Sequence, residues 1–394
     1  MPQLLLHSYP YLTAESPDSF ARLTLTQRVP RFLDDVLAAD NWNEEQRAAI
    51  LELKEEILHN RPIKTLDLSP GLAKGWEVFF EQWGGKPWFE LPFLHAEIYL
   101  YERLLSDLGY HQSRVKDPFF AQKHAPLAEH IDHLQGKWAA VQSWPSQLAP
   151  REYLKQGMAL ALGGNQADLS QVQLAAQPDV RKDLSQDKLL IDQRKAAIEL
   201  ILTHEKPTIH YLLDNAGLEL MHDMMFIWLL RQVGADVIIH PKEQPIFVSD
   251  VTLPDWMETN SFLHTHIPSM AEALNENGQT FMFNDFWTFP LSFYDWPKEL
   301  IEAFSKATLI ISKGDANYRR ILGDRQIPPT EDPAPLTRYL PAPLLAIRTL
   351  KSEIQVGLSP EKFQQVQSED PDWMVNGKWG VFQLFMGQWA VGSE

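Results

Sequence analysis

Cysteine is absent from this chain, which removes disulfides, thiolate nucleophiles, iron–sulfur clusters and zinc–thiolate sites from its chemistry. Long apolar runs are absent as well. The longest wholly apolar stretch, Met224 to Leu230, is far too short to cross a bilayer, and Met1 to Ser16 shows neither a basic start nor a long apolar core. A soluble cytoplasmic protein with no membrane partner is the expectation. Positive charge is scarce: 35 basic against 52 acidic residues leave a net charge of −17. A nucleic-acid partner is therefore not expected, because phosphate backbones are bound by net positive patches. An anionic substrate then needs a local cluster of cations. Three signatures are also missing: the Gly-x-x-x-x-Gly-Lys-Ser/Thr loop, the Gly-x-Ser-x-Gly elbow and the Gly-x-Gly-x-x-Gly fingerprint. Their absence sets aside P-loop, α/β-hydrolase and dinucleotide-binding readings.

What is present is 394 residues with 44% apolar content, enough for a sizeable core and, by usual domain size, for two domains. The first half reads helical. Asn43 with Gln46 has the form of a capping box, Ile50, Leu51, Lys54, Ile57 and Leu58 trace one helix face, and Phe93 to Leu108 is a second amphipathic helix stopped by Gly109. Residues 125–187 are rich in Gln, Pro and Ala, with a turn expected over Gly163-Gly164-Asn165-Gln166-Ala167-Asp168-Leu169-Ser170. A helix from Asp187 through Leu202 then feeds the first strand, which places a domain boundary near residue 185. Strands are expected at Ile209 to Leu213, Val237 to Ile239, Ile246 to Val248, Thr280 to Phe283, Leu309 to Ser312, Leu344 to Ile347 and Val381 to Phe385, mostly with helices between. The proline-rich Pro328 to Pro343 should be an extended connection. The organisation expected is α/β: residues 1–185 as a helical bundle, followed by residues 186–394 as a layered α/β domain with a mostly parallel sheet.

Chemistry-bearing residues gather at the strand ends, where parallel sheets bind ligands. Asp214-Asn215 follows one apolar run and Asp250 another. Two carboxylates and an amide oxygen form a sparse hard-oxygen set that suits Mg²⁺ or Mn²⁺ and leaves positions for water and substrate phosphate. The plain alternative is that these residues cap the following helices. Lys313-Gly314-Asp315-Ala316-Asn317 follows the Leu309 strand and offers a cation and a helix N-terminus to an anion. Arg348-Thr349-Leu350-Lys351 follows the Leu344 strand and adds two cations. His240 and Lys242 follow a further strand, with a structural role expected for His240.

These elements resemble a known family. Asp214-Asn215-Ala216-Gly217-Leu218-Glu219, Phe247-Val248-Ser249-Asp250, Lys313-Gly314-Asp315-Ala316-Asn317-Tyr318-Arg319 and Arg348-Thr349-Leu350-Lys351 are similar to motifs of the metal-dependent damage-control phosphatases, long catalogued as a domain of unknown function. The Arg-Thr-x-Lys element resembles the branch acting on sugar phosphates, some members of which are named acidic-residue methyltransferases. Ala96 to Arg103, Asp117-Pro118-Phe119 and Gly164 to Ser170 also resemble that branch, whereas Gly163 and Gln166 stand where the family often has Trp and a basic residue.

The resemblance implies an N-terminal helical domain packed over an αβα sandwich, with a divalent metal (Mg²⁺ or Mn²⁺, with Co²⁺ or Ni²⁺ as further options) held by Asp214, Asn215 and Asp250. It also implies hydrolysis of phosphate monoesters of small metabolites, such as fructose phosphates and other hexose or pentose phosphates, or overreactive phosphometabolites. On that reading Lys313 and Lys351 stabilise the transferring phosphoryl group, with Asp250 and Asp315 placing the nucleophile. Asn165, Asp168, Glu97, Asn317 and Arg348 then form the substrate-binding set. Two other functions compete. An S-adenosylmethionine-dependent carboxyl methyltransferase needs no divalent metal and usually shows a glycine-rich turn after its first strand. A non-catalytic metabolite-binding protein has no need of both an acidic and a basic set.

Overall fold

The computed structural model describes residues 4–39, 42–166, 188–276 and 278–388. Among them a seven-stranded sheet forms the centre: β1 (Leu189–Asp192), β2 (Thr208–Leu212), β3 (Asp236–His240), β4 (Thr280–Phe281), β5 (Leu309–Lys313), β6 (Leu344–Thr349) and β7 (Gly380–Phe385). The spatial order is β1-β7-β6-β5-β2-β3-β4, and every neighbouring pair is parallel except β6 with β7. Side chains alternate between the two faces of a sheet, and here both faces are apolar. Ile209, Tyr211, Leu309, Ile311, Leu345 and Ile347 enter one hydrophobic cluster, whereas Leu212, Ile310, Leu344 and Ala346 enter another. Helices must therefore cover both faces, and the result is an αβα sandwich.

The chain before the sheet is helical. After α1 (Phe20–Leu23) and a π-helical turn at Thr24–Arg28 come α2 (Val29–Ala39), α3 (Glu44–Leu58), α4 (Pro70–Trp83), α5 (Phe93–Leu108), α6 (Phe120–Glu129), α7 (Ile131–Gln147) and α8 (Pro150–Gln166). The expected capping box opens α3, with Asn43 Oδ1 accepting from Gln46 N at 2.9 Å and Gln46 Oε1 from Asn43 N at 3.1 Å. Gly109, at φ 81°, closes α5 as expected. Within the sheet half lie α9 (Arg194–Leu202), α10 (Leu218–Gln232), α11 (Leu253–His266), α12 (Pro268–Asn275), α13 (Lys298–Phe304), α14 (Asp315–Leu322), α15 (Pro333–Leu336) and α16 (Pro360–Glu369). Helices α7 and α8 share one apolar cluster with α10 and the sheet, while α2 to α5 build a second. A line at residue 185 thus runs through a continuous core. Helix α10 is buried from Glu219 to Leu230 because it lies among the elements of that shared cluster. No helix among the described residues is long and apolar enough to cross a membrane.

Several elements differ from expectation. Ile246 to Val248 is a loop and not a strand; its apolar character comes from Ile246 and Val248 entering the core of the helical half. The stretch after Asp187 holds β1 before its helix begins at Arg194. Of the turn expected over Gly163 to Ser170, Gly163 to Gln166 lie inside α8, and the remainder falls outside the described residues. The proline-rich connection contains the short α15, whose first turn Asp332 caps through Ala334 N at 3.0 Å.

His210 and His240 lie side by side on β2 and β3, with His210 Nδ1 2.8 Å from His240 Nε2. One nitrogen must donate and the other accept, so the two rings cannot both be charged, and burial in an apolar layer favours the neutral form of each. Burial lowers both, His210 to about 4. The unfolded chain therefore binds protons that the native pair refuses. The stability linked to this pair is complete above the ordinary histidine pKa of about 6.5 and is lost as pH falls toward 4. We expect the unfolding free energy of wild type, relative to His210→Phe, to fall by about 1.4 kcal/mol per pH unit below pH 6.5. Urea unfolding at pH 7, 6 and 5 measures the difference, and a constant gap would contradict a neutral pair.

Candidate active site

β2 stands where the strand order reverses. From it the chain proceeds to β3 and β4 on one side, and β5 and β6 lie on the other, so a crevice opens at the C-terminal ends of these strands. Asp214 and Asn215 follow β2 there. The loop before α11 folds back onto them: Ala216 N donates to Ser249 O at 2.7 Å and Val251 N to Asp214 O at 3.0 Å. These bonds set Asn215 beside Asp250. The helical half anchors this loop, because Ile246 and Val248 join its core and Phe247 packs edge-on against Tyr101 at 5.2 Å. The far end of the loop is clamped by Asp255, whose Oδ2 accepts from Thr252 N, from Thr252 Oγ1 and from the buried Lys123 Nζ at 2.7–2.9 Å. Lys123 also holds Asp117 at 2.7 Å.

The capping alternative fails on these contacts. The N-cap of α10 is Gly217, which supplies no side chain, and α11 is capped by the Thr252–Asp255 pair. Asp214, Asn215 and Asp250 have other partners. Asn215 Nδ2 donates to Asp214 Oδ2 at 3.0 Å and to Glu219 Oε2 at 2.8 Å, while its Oδ1 accepts from Ser249 Oγ at 2.7 Å. Asp250 is 1% exposed, and its Oδ2 has no hydrogen-bond partner among the described residues. Lys242 Nζ stands 3.6 Å from that oxygen. Burial raises the Asp250 carboxyl, and Lys242 opposes the rise. Asp214 rests on the bare Cα of Gly314, which has φ +84°; a Cβ there would fall 1.8 Å from Asp214 Oδ2. Among the described residues no three His, Asp or Glu side chains form a metal cluster. The set is instead two carboxylates and an amide, with one buried acceptor unfilled and a glycine cradle beneath it, and this fits a hard divalent cation that keeps part of its water.

A cavity of about 620 Å³ lies over these residues. Asp214, Asn215, Ser249, Asp250, Asp315, Arg319 and Lys351 line its sheet side, and Phe20, Arg28, Phe32, Phe93, Glu97 and Tyr101 line the helical side. Asp315 Oδ1 accepts from Lys351 N at 3.0 Å and lies 3.2 Å from Arg348 Nη2. It thereby fastens the Lys351 loop to the start of α14. Glu97 pairs with Arg319 Nη1 at 2.5 Å, and Arg319 is also held by both oxygens of Asp324. Burial raises the Glu97 carboxyl against the pull of Arg319.

Two cations aimed at phosphate do not reach the cavity, and strand parity is the reason. Lys313 shares a face with Leu309 and Ile311; its Nζ donates to Ala161 O, Glu219 Oε1 and Asp223 Oδ1, each at 2.8 Å, and it is 0% exposed. Burial disfavours its charge, but Asp223 and Glu219 outweigh burial and raise its pKa. Arg348 shares the opposite face with Leu344 and Ala346, donates to Ile354 O at 2.9 Å and stacks 3.9 Å over Tyr318. Asn317 turns inward as well, with Nδ2 donating to Lys313 O at 2.9 Å. Asn165 lies in the last turn of α8, next to Gly164, whose Cβ position falls 3.1 Å from Glu219 Cα. Asp168 is outside the described residues. Sequence reading gave no role to Arg28, Ser249 or Glu219. The last two sit inside quoted motifs, whereas Arg28 reaches the site from a distant helical turn with no local signal.

The chain is similar to the damage-control phosphatase ARMT1 of Xenopus tropicalis, 28% identical over 444 aligned residues that span 95% of this chain and 98% of the relative. The protein of the same name from Mus musculus is 29% identical over 95% of this chain and 98% of its own. The one from Homo sapiens is 27% identical over 94% and 97%. Among solved structures, a DUF89 family protein from Pyrococcus horikoshii is 18% identical and covers 91% of this chain and 96% of its own, with a TM-score of 0.46. The family model of the damage-control phosphatase ARMT1-like domain matches residues 24–366, and the chain belongs to that family.

Proposed function

We propose that this protein is a metal-dependent phosphatase that hydrolyses phosphate monoesters of small metabolites, with sugar phosphates such as fructose phosphates as the substrate class. The observation that carries the reading is the meeting, in one cavity, of an acidic oxygen set with an unfilled buried acceptor on Asp250 and the cationic side chains of Lys351 and Arg28. Asp214, Asn215 and Asp250 would hold Mg²⁺ or Mn²⁺, which when bound polarises a phosphate oxygen and lowers the barrier to displacement at phosphorus. Lys351 neutralises charge on the transferring phosphoryl group. Asp315 acts on Lys351 as a positioning residue through the backbone N–H it accepts. Glu97, already oriented by Arg319, presents a carboxylate to the hydroxyl-bearing part of the substrate from the helical side.

Phosphate release from a panel of sugar phosphates and p-nitrophenyl phosphate, with each divalent metal and with chelator, tests the reading. Release that requires metal is the expected result. No release with any metal, together with micromolar binding of S-adenosylmethionine, would overturn it in favour of the methyltransferase. Lys351→Ala is expected to lower kcat/KM by roughly 10²-fold, the usual loss for one transition-state charge donor, while leaving the Mn²⁺ dissociation constant within about two-fold of wild type because it is not a ligand. An unchanged kcat/KM would remove Lys351 from the reaction.

A further inference from the structure

We infer that Glu219, charged against Lys313, is the positioning residue that decides which end of the Asn215 amide faces the metal, and that Lys313 serves the metal site and not the phosphate. The inference rests on the proposed metal-dependent reading and assigns roles to two residues that touch neither substrate nor cation. An asparagine can ligate a hard cation only through its oxygen, yet oxygen and nitrogen occupy nearly the same shape, so the surrounding hydrogen bonds must choose between them. At Asn215 the choice is made on both sides. The nitrogen points at two carboxylate oxygens, Asp214 Oδ2 and Glu219 Oε2. The oxygen points at the Ser249 hydroxyl, in the loop that carries Asp250. A reversed amide would set its oxygen against two carboxylate oxygens, so the ligating oxygen stays on the Asp250 side.

Glu219 is 2% exposed, and a carboxylate so buried needs a counter-charge. Lys313 supplies it. An ammonium group has three donors, and those of Lys313 have three acceptors: Glu219, Asp223 and the Ala161 carbonyl of α8. None is left for a phosphate. Asp223 is itself fixed, accepting from Tyr211 Oη at 2.7 Å. The series Asp223–Lys313–Glu219–Asn215–Ser249 therefore connects α8, β5, α10 and the Asp250 loop through consecutive hydrogen bonds. Outer partners of this kind orient first ligands, and losing one typically weakens metal binding by about 10- to 100-fold. Glu219→Gln is informative because it keeps the shape: the new amide turns its oxygen to the Lys313 ammonium, its NH₂ then faces Asn215, and Asp214 Oδ2 alone is left to hold the ligating orientation of the asparagine.

The test is calorimetric titration of the full chain with Mn²⁺ alone, alongside steady-state kinetics on a sugar phosphate at saturating Mn²⁺. Glu219→Gln is expected to weaken Mn²⁺ binding by about 10- to 100-fold, with KM at saturating Mn²⁺ within two-fold of wild type. Lys313→Met is expected to behave in the same way. Where it does not fold, Lys313→Met combined with Asp223→Asn, which removes one of the two carboxylates stranded by the loss of the ammonium, takes its place. Unchanged Mn²⁺ affinity in Glu219→Gln overturns the inference, as does a Lys313 variant with normal Mn²⁺ affinity and a raised KM. Asp250→Asn separates the two levels. Wild-type Mn²⁺ binding that Asp250→Asn loses but Glu219→Gln keeps defeats the inference alone, whereas a wild type that binds no divalent metal defeats the phosphatase reading and the inference with it.

Discussion

Asp250→Asn is expected to abolish metal-dependent phosphate release while leaving the fold intact. The substitution is isosteric, so no cavity opens and no backbone needs to move. The carboxylate it removes is buried, with one oxygen unpartnered and burial already pushing its pKa up. Neutralising such a group relieves its own desolvation cost but leaves the buried Lys242 without its counter-charge. The melting temperature should accordingly fall, while the variant still unfolds in one cooperative transition. Activity behaves differently. A divalent cation contributes several kcal/mol of charge stabilisation at a phosphoryl centre, and at about 1.4 kcal/mol per decade its loss lowers kcat/KM by roughly 10³-fold or more. Thermal melting and phosphate release from fructose phosphates, run on the same preparation with Mn²⁺ and with chelator, measure both halves. A variant that folds and turns over near the wild-type rate would show that Asp250 is not a ligand.

The parts of this site that the sequence discloses are those fixed by position along the chain. Asp214, Asp315 and Lys351 follow strands, and the end of a parallel strand is a place that can be read from an apolar run and its stop. Direction is harder to read than place. Whether Lys313 and Arg348 enter the cavity depends on the parity of β5 and β6, and in a sheet covered on both faces every residue of the run is apolar, so alternation leaves no trace. Counting back from Leu309 and Ile311 places Lys313 against α10, but only once the structure shows which face α10 covers. Ile246 to Val248 misleads for a related reason: three apolar residues in a row signal burial, and these are buried by helices instead of by strand neighbours. Arg28 and Phe20 were beyond reach because their role depends on long-range packing of the first helical turns over the crevice. The mostly parallel sheet is legible; the way α7 and α8 join the sandwich is not, since their Gln-, Pro- and Ala-rich stretch gives no sign of which elements its apolar residues pack against.

Gly314→Ala should cost both stability and metal binding, for two separable reasons. Gly314 links β5 to α14 with φ +84° and ψ 170°, backbone space that residues with a Cβ essentially avoid, at a cost of about 1–3 kcal/mol. Its N–H donates to Ile347 O at 3.0 Å, so the turn cannot relax without breaking the β5–β6 junction. The second reason is contact. The new methyl would lie 1.8 Å from Asp214 Oδ2 and 2.0 Å from its Cγ, and relieving that overlap means moving the Asp214 carboxylate away from Asn215. Overpacking of this kind adds about 1–3 kcal/mol, so a total loss of about 2–6 kcal/mol in urea unfolding is expected. Gly85→Ala separates the terms. It has φ +73° but nothing within 4 Å of the added carbon, so it carries the backbone strain alone and should keep wild-type Mn²⁺ affinity and turnover. If Gly314→Ala folds, its Mn²⁺ affinity should fall by roughly 10- to 100-fold, whereas Gly85→Ala should not move it. Equal Mn²⁺ affinity in both variants would mean that the Asp214 carboxylate can leave its cradle at no cost to the cation, and the metal would then have to be held without it.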